Sequence, residues 1–292
     1  MSLYISSLNS GSNGNCYYIG NNKEAVLIDA GISCREIEKR MKRLDLSMAT
    51  VKAIFVSHEH GDHIFGIPTL SRKYQVPVYI TKNTLRSSFI TIEKHLVHSF
   101  SAHNTITIGD LAVTAFPKSH DAVDPHSFIV TCRQVTVGVF TDIGYSCSNI
   151  INNFRRCNAA FLESNYCDDM LVKSTYPFYL KKRISGDDGH LSNKQALELF
   201  LSHRGLQLTH LLLSHLSENN NSPELVNKLF SEKAGATKVI VASRYKETPI
   251  YIIEKSPAID IIRNNRPPGR VYNFPFFKFR SIFIEGWQRR MH

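Results

Sequence analysis

The chain lacks several features that would settle its class at once. No stretch approaches the ~18 consecutive apolar residues of a membrane span. The first ten residues, Met1 to Ser10, hold neither a basic patch nor a long apolar run, so no secretory leader is expected. Cysteines are few and solitary: Cys16, Cys34, Cys132, Cys147, Cys157 and Cys167 form no Cys-x-x-Cys pair. Their spacing argues against a zinc ribbon, a thioredoxin-type redox site or a disulfide framework, and fits reduced thiols in a cytoplasmic protein. No internal repeat is visible. Acidic residues are the scarcer sign, 25 Asp and Glu against 35 Lys and Arg, for a net charge of +10. The excess is uneven, because residues 256–292 hold seven Lys/Arg and two Asp/Glu, half of the net charge. A basic balance suits a polyanionic partner as well as it suits solubility.

What is present reads as an ordinary globular α/β chain, 42% hydrophobic and 21% charged. Glycines at 11, 14 and 20 punctuate short β-prone runs at Leu3–Leu8 and Cys16–Ile19, a hairpin signature. A third run, Ala25–Ile28, leads to Asp29-Ala30-Gly31 and a helix over Cys34–Leu44 capped by Ser33. The strand Ala53–Val56 runs into Ser57-His58-Glu59-His60-Gly61-Asp62-His63, then a helical stretch to about Tyr74 and a strand at Val76–Ile80. Between Thr105 and Phe140 the pattern is all β, at Thr105–Ile108, Leu111–Phe116, Ser127–Thr131 and Val135–Phe140, with Gly109-Asp110 as a turn. Asn158–Leu162, His210–Leu213 and Lys238–Val241 complete the strands, and helices are expected at Asn193–Arg204, capped by Ser192, and at Ser222–Ala234. This order suits an αββα sandwich, two mixed β-sheets between helical layers. Residues 1–255 are read as the catalytic domain. Residues 256–292, broken by Arg266-Pro267-Pro268-Gly269 and rich in aromatics, are read as an extension of unknown role.

The strongest chemical signal is His58-x-His60-x-Asp62-His63, four metal-competent side chains within six residues after an apolar strand. Side chains alternate on a strand-end segment, so His58 and His60 share a side and can share one metal. Asp62 and His63, where a helix begins, can turn toward a second. Imidazole and carboxylate bind Zn²⁺, Mn²⁺ or Fe²⁺ while leaving room for water.

These residues resemble the signature of the metallo-β-lactamase superfamily, and the resemblance continues along the chain. Asp29 looks like the family's first motif, an Asp that supports the metal loop, although by itself it also reads as a helix cap. His120 in Lys118-Ser119-His120-Asp121 resembles the third motif, preferred over His126 because it lies nearer the strand end. Asp142 in Thr141-Asp142-Ile143-Gly144 resembles the carboxylate bridging both metals, and His215 in Leu213-Ser214-His215-Leu216-Ser217 the final ligand. Ser10-Gly11-Ser12-Asn13-Gly14-Asn15, Ser119-His120-Asp121-Ala122, Glu163-Ser164-Asn165, Gly189-His190-Leu191-Ser192-Asn193 and Ser214-His215-Leu216-Ser217 are similar to the YycJ/WalJ (VicX) branch, described as bacterial DNA exonucleases. Gly189-His190-Leu191-Ser192 is also similar to tRNase Z-type nucleases, where a His in this position donates a proton near the scissile phosphate. Alone, His190 reads equally as a capping or buried histidine.

The resemblance implies two divalent metals held by His58, His60, Asp62, His63, His120, Asp142 and His215, with Asp62 and His190 catalytic. The formal charge of such a site is +2, which favours an anionic phosphodiester, and a bridging hydroxide would be the nucleophile. The expected substrate is nucleic acid, single-stranded DNA or DNA ends, acted on in the cytoplasm with no membrane partner. Lys181, Lys182 and Arg183 are candidate phosphate contacts or a solvated charged turn. Same-fold alternatives are an RNA nuclease or a small-molecule ester hydrolase: a glyoxalase II-like thioesterase, a lactonase or a phosphodiesterase. Glu163 is read as a strand-end charge, and His95, His98 and His103 as surface or structural residues.

Overall fold

Alternation within strands buried on both faces decides the layering. In β3 (Ala25–Ile28) Val26 and Ile28 point into the centre of the molecule while Ala25 and Leu27 point outward. In β11 (Ala159–Glu163) Ala159 and Phe161 face the centre and Ala160 and Leu162 face the opposite side. With period-two side chains, such strands need apolar partners on both faces. The computed structural model describes residues 2–255, and the extension expected at 256–292 lies outside the described residues.

Two seven-stranded mixed sheets supply the central contact. The first contains β1 (Leu3–Asn9), β2 (Cys16–Gly20), β3, β4 (Val51–Phe55), β5 (Val78–Tyr79), β6 (Val97–His98) and β14 (Tyr251–Ile253), in the order β14-β1-β2-β3-β4-β5-β6. The second contains β7 (Thr105–Ile108), β8 (Leu111–Pro117), β9 (His126–Cys132), β10 (Val135–Phe140), β11, β12 (His210–Ser214) and β13 (Lys238–Val241), ordered β13-β12-β11-β10-β9-β8-β7. Tyr17 meets Phe161 across the gap at 4.8 Å between ring centroids, and Phe55 meets Phe128 at 5.8 Å. Helices α1 (Cys34–Arg43) and α3 (Ile67–Tyr74) cover the first sheet through Ile37, Met41, Ile67 and Leu70. On the second sheet α5 (Ser148–Phe154), α8 (Asn193–His203) and α9 (Pro223–Ser231) lay down Phe154, Phe200 and Phe230. The architecture is the αββα sandwich.

Caps match the sequence. The Ser33 hydroxyl accepts from the Glu36 amide, and Ser192 forms a reciprocal capping box with Gln195. Other details differ. The helical stretch after His63 is two helices, α2 (Gly61–Ile64) and α3, separated at Phe65–Gly66 because Gly66 passes against the Ile32 carbonyl, where a Cβ would collide. The strand expected at Val76–Ile80 pairs over only two residues. Helices α4 (Lys82–Ser87), α6 (Asp168–Lys173) and α7 (Phe178–Ser185), together with α5, β6 and β14, were not expected. Among the described residues no helix is long and apolar enough to cross a membrane.

Candidate metal centre

Parallel pairing brings the chemistry to one rim. β3 and β4 run parallel, as do β10, β11, β12 and β13, so their carboxyl ends emerge together. Asp29 follows β3, His58 follows β4, Asp142 follows β10, Glu163 ends β11 and His215 follows β12. Open α/β sheets place ligands at this edge. Three of these residues, Asp29, Asp142 and His215, hold left-handed backbone at φ 61°, 54° and 56°. Non-glycine residues rarely adopt that conformation, and it costs on the order of 1 kcal/mol or more each. The loop after β4 is seated by Gly31, since the Asn15 amide donates to the Asp62 carbonyl at 2.7 Å just where a Gly31 Cβ would fall.

Hydrogen bonds fix which ring nitrogen each histidine presents. The Ser57 hydroxyl donates to Asp29 Oδ2 at 2.8 Å, so at 2.8 Å it accepts from His58 Nδ1 and leaves His58 Nε2 inward. His63 Nδ1 donates to Asp29 Oδ2 at 2.7 Å, His120 Nδ1 to the Gly189 carbonyl at 3.0 Å, and His215 Nδ1 to Glu163 Oε1 at 3.0 Å. All four present Nε2. His60 presents Nδ1 instead, 3.1 Å from His58 Nε2.

The presented atoms gather in two groups that could each hold an ion. Those of His58, His60 and His120 lie within 4.8 Å of one another, as do those of Asp62, His63 and His215. Asp142 stands between them, its Oδ1 3.8 Å from His120 Nε2 and 3.5 Å from His215 Nε2, its Oδ2 3.2 Å from His63 Nε2. Among the described residues His120 Nε2 is buried with no hydrogen-bond partner, and Asp142 Oδ2 has only the His63 ring beside it. An orphaned buried nitrogen beside a buried carboxylate is what a divalent cation would satisfy. The residues present fit such an ion.

The charges point the same way. Burial, then the neighbouring His63 and Lys118, pushes His58 well below its usual range, and burial draws His120 down to about 4. Burial opposes a proton on His63 and His215 too, but nearby carboxylates prevail. Asp142, Asp62 and Asp29 hold His63 well above its ordinary value, and Asp142, Asp62 and Glu163 raise His215 to about 10. Against the same burial, His63 and His215 hold Asp62 and Asp142 ionised well below the carboxylate range. The group of Asp62, His63 and His215, which holds its protons against burial, attracts cations by its own field.

Every sequence-derived ligand candidate therefore lies in this cluster, with Asp29 beneath it. His126 does not; its Nδ1 bonds the Asp124 carbonyl and its ring packs edge-on against Phe100. His190 reaches the rim, its Nδ1 2.8 Å from Glu163 Oε1 and 3.7 Å from Asp142 Oδ1. The basic run sits on α7 rather than on a turn. Lys181 donates to the Val172 carbonyl, Arg183 pairs with Asp121 at 2.5 Å, and Lys182 is exposed. Glu163 corrects the sequence reading. It is fully buried, holds His190 and His215 through Oε1, and accepts from the Ile143 and Leu191 amides through Oε2. Burial alone would raise its pKa, but His190 and His215 bring it to about 2. Asn15 was also missed; its side-chain amide donates to Asp62 Oδ2 at 3.2 Å. The signal for Glu163 was its place at the end of a strand lying between two whose ends carry ligand candidates.

Comparison with known proteins agrees with this geometry. The model of the β-lactamase superfamily domain matches residues 24–216. Exodeoxyribonuclease YycJ of Bacillus anthracis is 35% identical over 238 residues, 80% of this chain and 89% of that protein. Exodeoxyribonuclease WalJ of Streptococcus pneumoniae is 32% identical over 225 residues, 75% and 84% of the two chains. Among solved structures, the metallo-β-lactamase fold protein YhfI of Bacillus subtilis superposes with a TM-score of 0.67 at 17% identity, covering 86% of this chain and all of that one. The short form of human tRNase Z superposes at 0.58 and 16%, covering 85% and 99%. With seven ligand-competent side chains at the rim of an αββα sandwich and these relatives along most of its length, the chain belongs to the β-lactamase superfamily of metal-dependent hydrolases, in its YycJ/WalJ branch.

Proposed function

We propose that the chain is a dinuclear-metal phosphodiesterase that removes nucleotides from DNA, with single strands or strand ends as substrate. The observation that carries this reading is His190, whose ring is held at the rim by Glu163 and stands beside Asp142, with no partner at Nε2 among the described residues. A thioester hydrolase, whose thiolate leaves without help, needs no such donor, whereas the leaving sugar oxygen of a phosphodiester departs as an alkoxide and does. The names of the two relatives, both exodeoxyribonucleases, support DNA over the alternatives.

His58, His60 and His120 would hold one divalent ion, Asp62, His63 and His215 the other, with Asp142 shared. Bound there, Zn²⁺, Mn²⁺ or Fe²⁺ would supply Lewis acidity toward the phosphoryl oxygens and an activated water. Asp62, kept ionised and a quarter exposed, would accept a hydrogen bond from that water and orient it. His190 delivers one from Nε2 to the departing oxygen, its ring orientation set at Nδ1 by Glu163. Asp29 touches no substrate; it aligns His63 directly and His58 through Ser57. A DNA substrate and six free cysteines support action in the cytoplasm.

The test is cleavage of end-labelled single-stranded DNA by metal-stripped protein resupplied with Mn²⁺ or Zn²⁺, with His63→Ala in parallel. Mononucleotide release that returns with metal and is lost in the variant is expected. Hydrolysis of thioesters or lactones by the metal-loaded chain, with DNA untouched, would overturn the proposal.

A further inference from the structure

The segment between β11 and His190 carries a surface that the chemistry above does not use. Helix α7 has no buried residue, and isolated helices of its length are marginal in water. It is held instead by tethers to the site. The His190 amide donates to the Ile184 carbonyl at 2.9 Å, Arg183 pairs with Asp121, and Asp121 Oδ1 lies 3.3 Å from His120 Nε2. At the other end Asn219, four residues beyond His215, donates to the Tyr176 hydroxyl at 2.9 Å.

What this tethered helix displays is unusual. Phe178 is 81% exposed and Tyr179 73%. Residues four apart stand one above the other on a helix, so Phe178 lies one turn from Lys182, and Tyr179 one turn from Arg183. Two exposed rings thus stand one turn before the exposed Lys182, Arg183 being drawn to Asp121, and α7 carries no acidic residue. Of the two acids that follow, Asp188 accepts from the Ser119 hydroxyl through its carboxylate, whereas Asp187 does so through its backbone carbonyl and keeps an exposed side chain. A single exposed hydrophobic residue needs no explanation. Two adjacent large rings one turn from an exposed lysine, on a helix pinned to the rim, are a different matter.

We propose that the outward face of α7 binds the single-stranded DNA leading to the site, with bases stacking on Phe178 and Tyr179 and phosphates neutralised by Lys182. Lys182 matches the strand's charge, and the rings match its unpaired bases, which stack on aromatic side chains without regard to sequence. At about 1.5 Å per residue α7 is about 12 Å long, room for a short run of nucleotides. Duplex DNA offers no such base faces. The inference rests on the nuclease reading and adds to it a preference for unpaired strands that the metal centre cannot supply.

The test measures binding of short fluorescein-labelled oligodeoxythymidylate to the full chain in EDTA, by anisotropy, so that nothing is cleaved. Turnover of bis(p-nitrophenyl) phosphate by the metal-loaded chain is followed separately and reports the centre alone. Phe178→Ala/Tyr179→Ala should weaken oligonucleotide binding at least about tenfold, and Phe178→Trp/Tyr179→Trp should restore it. Turnover of the small diester should stay within about twofold of the parent, since neither ring is placed in the centre. An abasic oligomer of equal length should bind the parent as weakly as the base-bearing strand binds the alanine variant. Unchanged binding in the alanine variant, or equal binding of the abasic strand, would overturn the stacking surface and leave the nuclease reading standing. A parent chain that turns over the small diester but neither binds nor cleaves DNA would remove both.

Discussion

His58, His60 and His120 meet one another around one point; Asp62, His63 and His215 meet around the next, and Asp142 lies between. Both groups are largely buried and draw on the same short loop, yet they sit in opposite charge states. In the first, desolvation wins and the deep rings, His58 and His120, are neutral. In the second the same desolvation is overcome by Asp142, Asp62, Asp29 and Glu163, and the rings are cationic. Depth therefore does not decide protonation here; the number of carboxylates within reach does. The first group is ready for a cation, whereas the second already carries protons in its place.

The largest way to break this contrast is to remove one ring from each group and measure the metal-free chain. His63→Ala strips a buried cation from between Asp29 and Asp142, and should cost about 3–5 kcal/mol in denaturant unfolding. His58→Ala removes a neutral ring and should cost less, about 1–3 kcal/mol. Equal losses would show that the contrast in charge is absent.

A second effect is smaller per step and follows from linkage. His215, raised to about 10, adds stability that is complete below its unfolded value near 6.5 and is lost as pH rises through about 10. His120, lowered to about 4, acts the other way, since between about 4 and 6.5 the unfolded chain binds the proton and acidification destabilises. The metal-free chain should thus be most stable near neutral pH and lose up to about 1.4 kcal/mol per pH unit per group on either side. Metal loading should abolish the alkaline slope and expel about two protons near pH 8, those of His63 and His215. Calorimetric titration in buffers of different ionisation enthalpy counts them; no release would mean that the second group is neutral too.

The smallest effect sharpens the comparison from beneath. Asp29→Asn keeps the shape but weakens the grip on His63, and should reduce metal affinity about 10- to 100-fold. Ser57→Ala, which frees the His58 tautomer but leaves the bond between His63 and Asp29 in place, should cost less in the same competition assay with a chelating dye.

How much of this was legible depended on whether a feature was local. The packed His58–His63 run declares itself in six residues, and Asp29, Asp142 and His215 each follow an apolar run that reads as a strand. Phe161 and its alternating neighbours likewise specify a strand buried on both faces. Glu163 was misread because one acid after a strand looks the same whether it faces water or two histidines; only the order of β10, β11 and β12 separates the cases. β14 pairs with β1 across nearly the whole described chain, a contact that no local pattern announces. Helices α4 to α7 are short, and α7 lacks any buried face, so periodicity had little to report.

The left-handed backbone at Asp29, Asp142 and His215 has a consequence for which sequences this rim can tolerate. Apart from glycine, the residues that enter that conformation most readily are Asn, Asp and His. Two of those three are also preferred donors to divalent metals. Conformation and coordination thus draw on one small vocabulary at these positions. Exchange within it is conformationally cheap, whereas a β-branched residue there would strain the strand exit before any ion was considered.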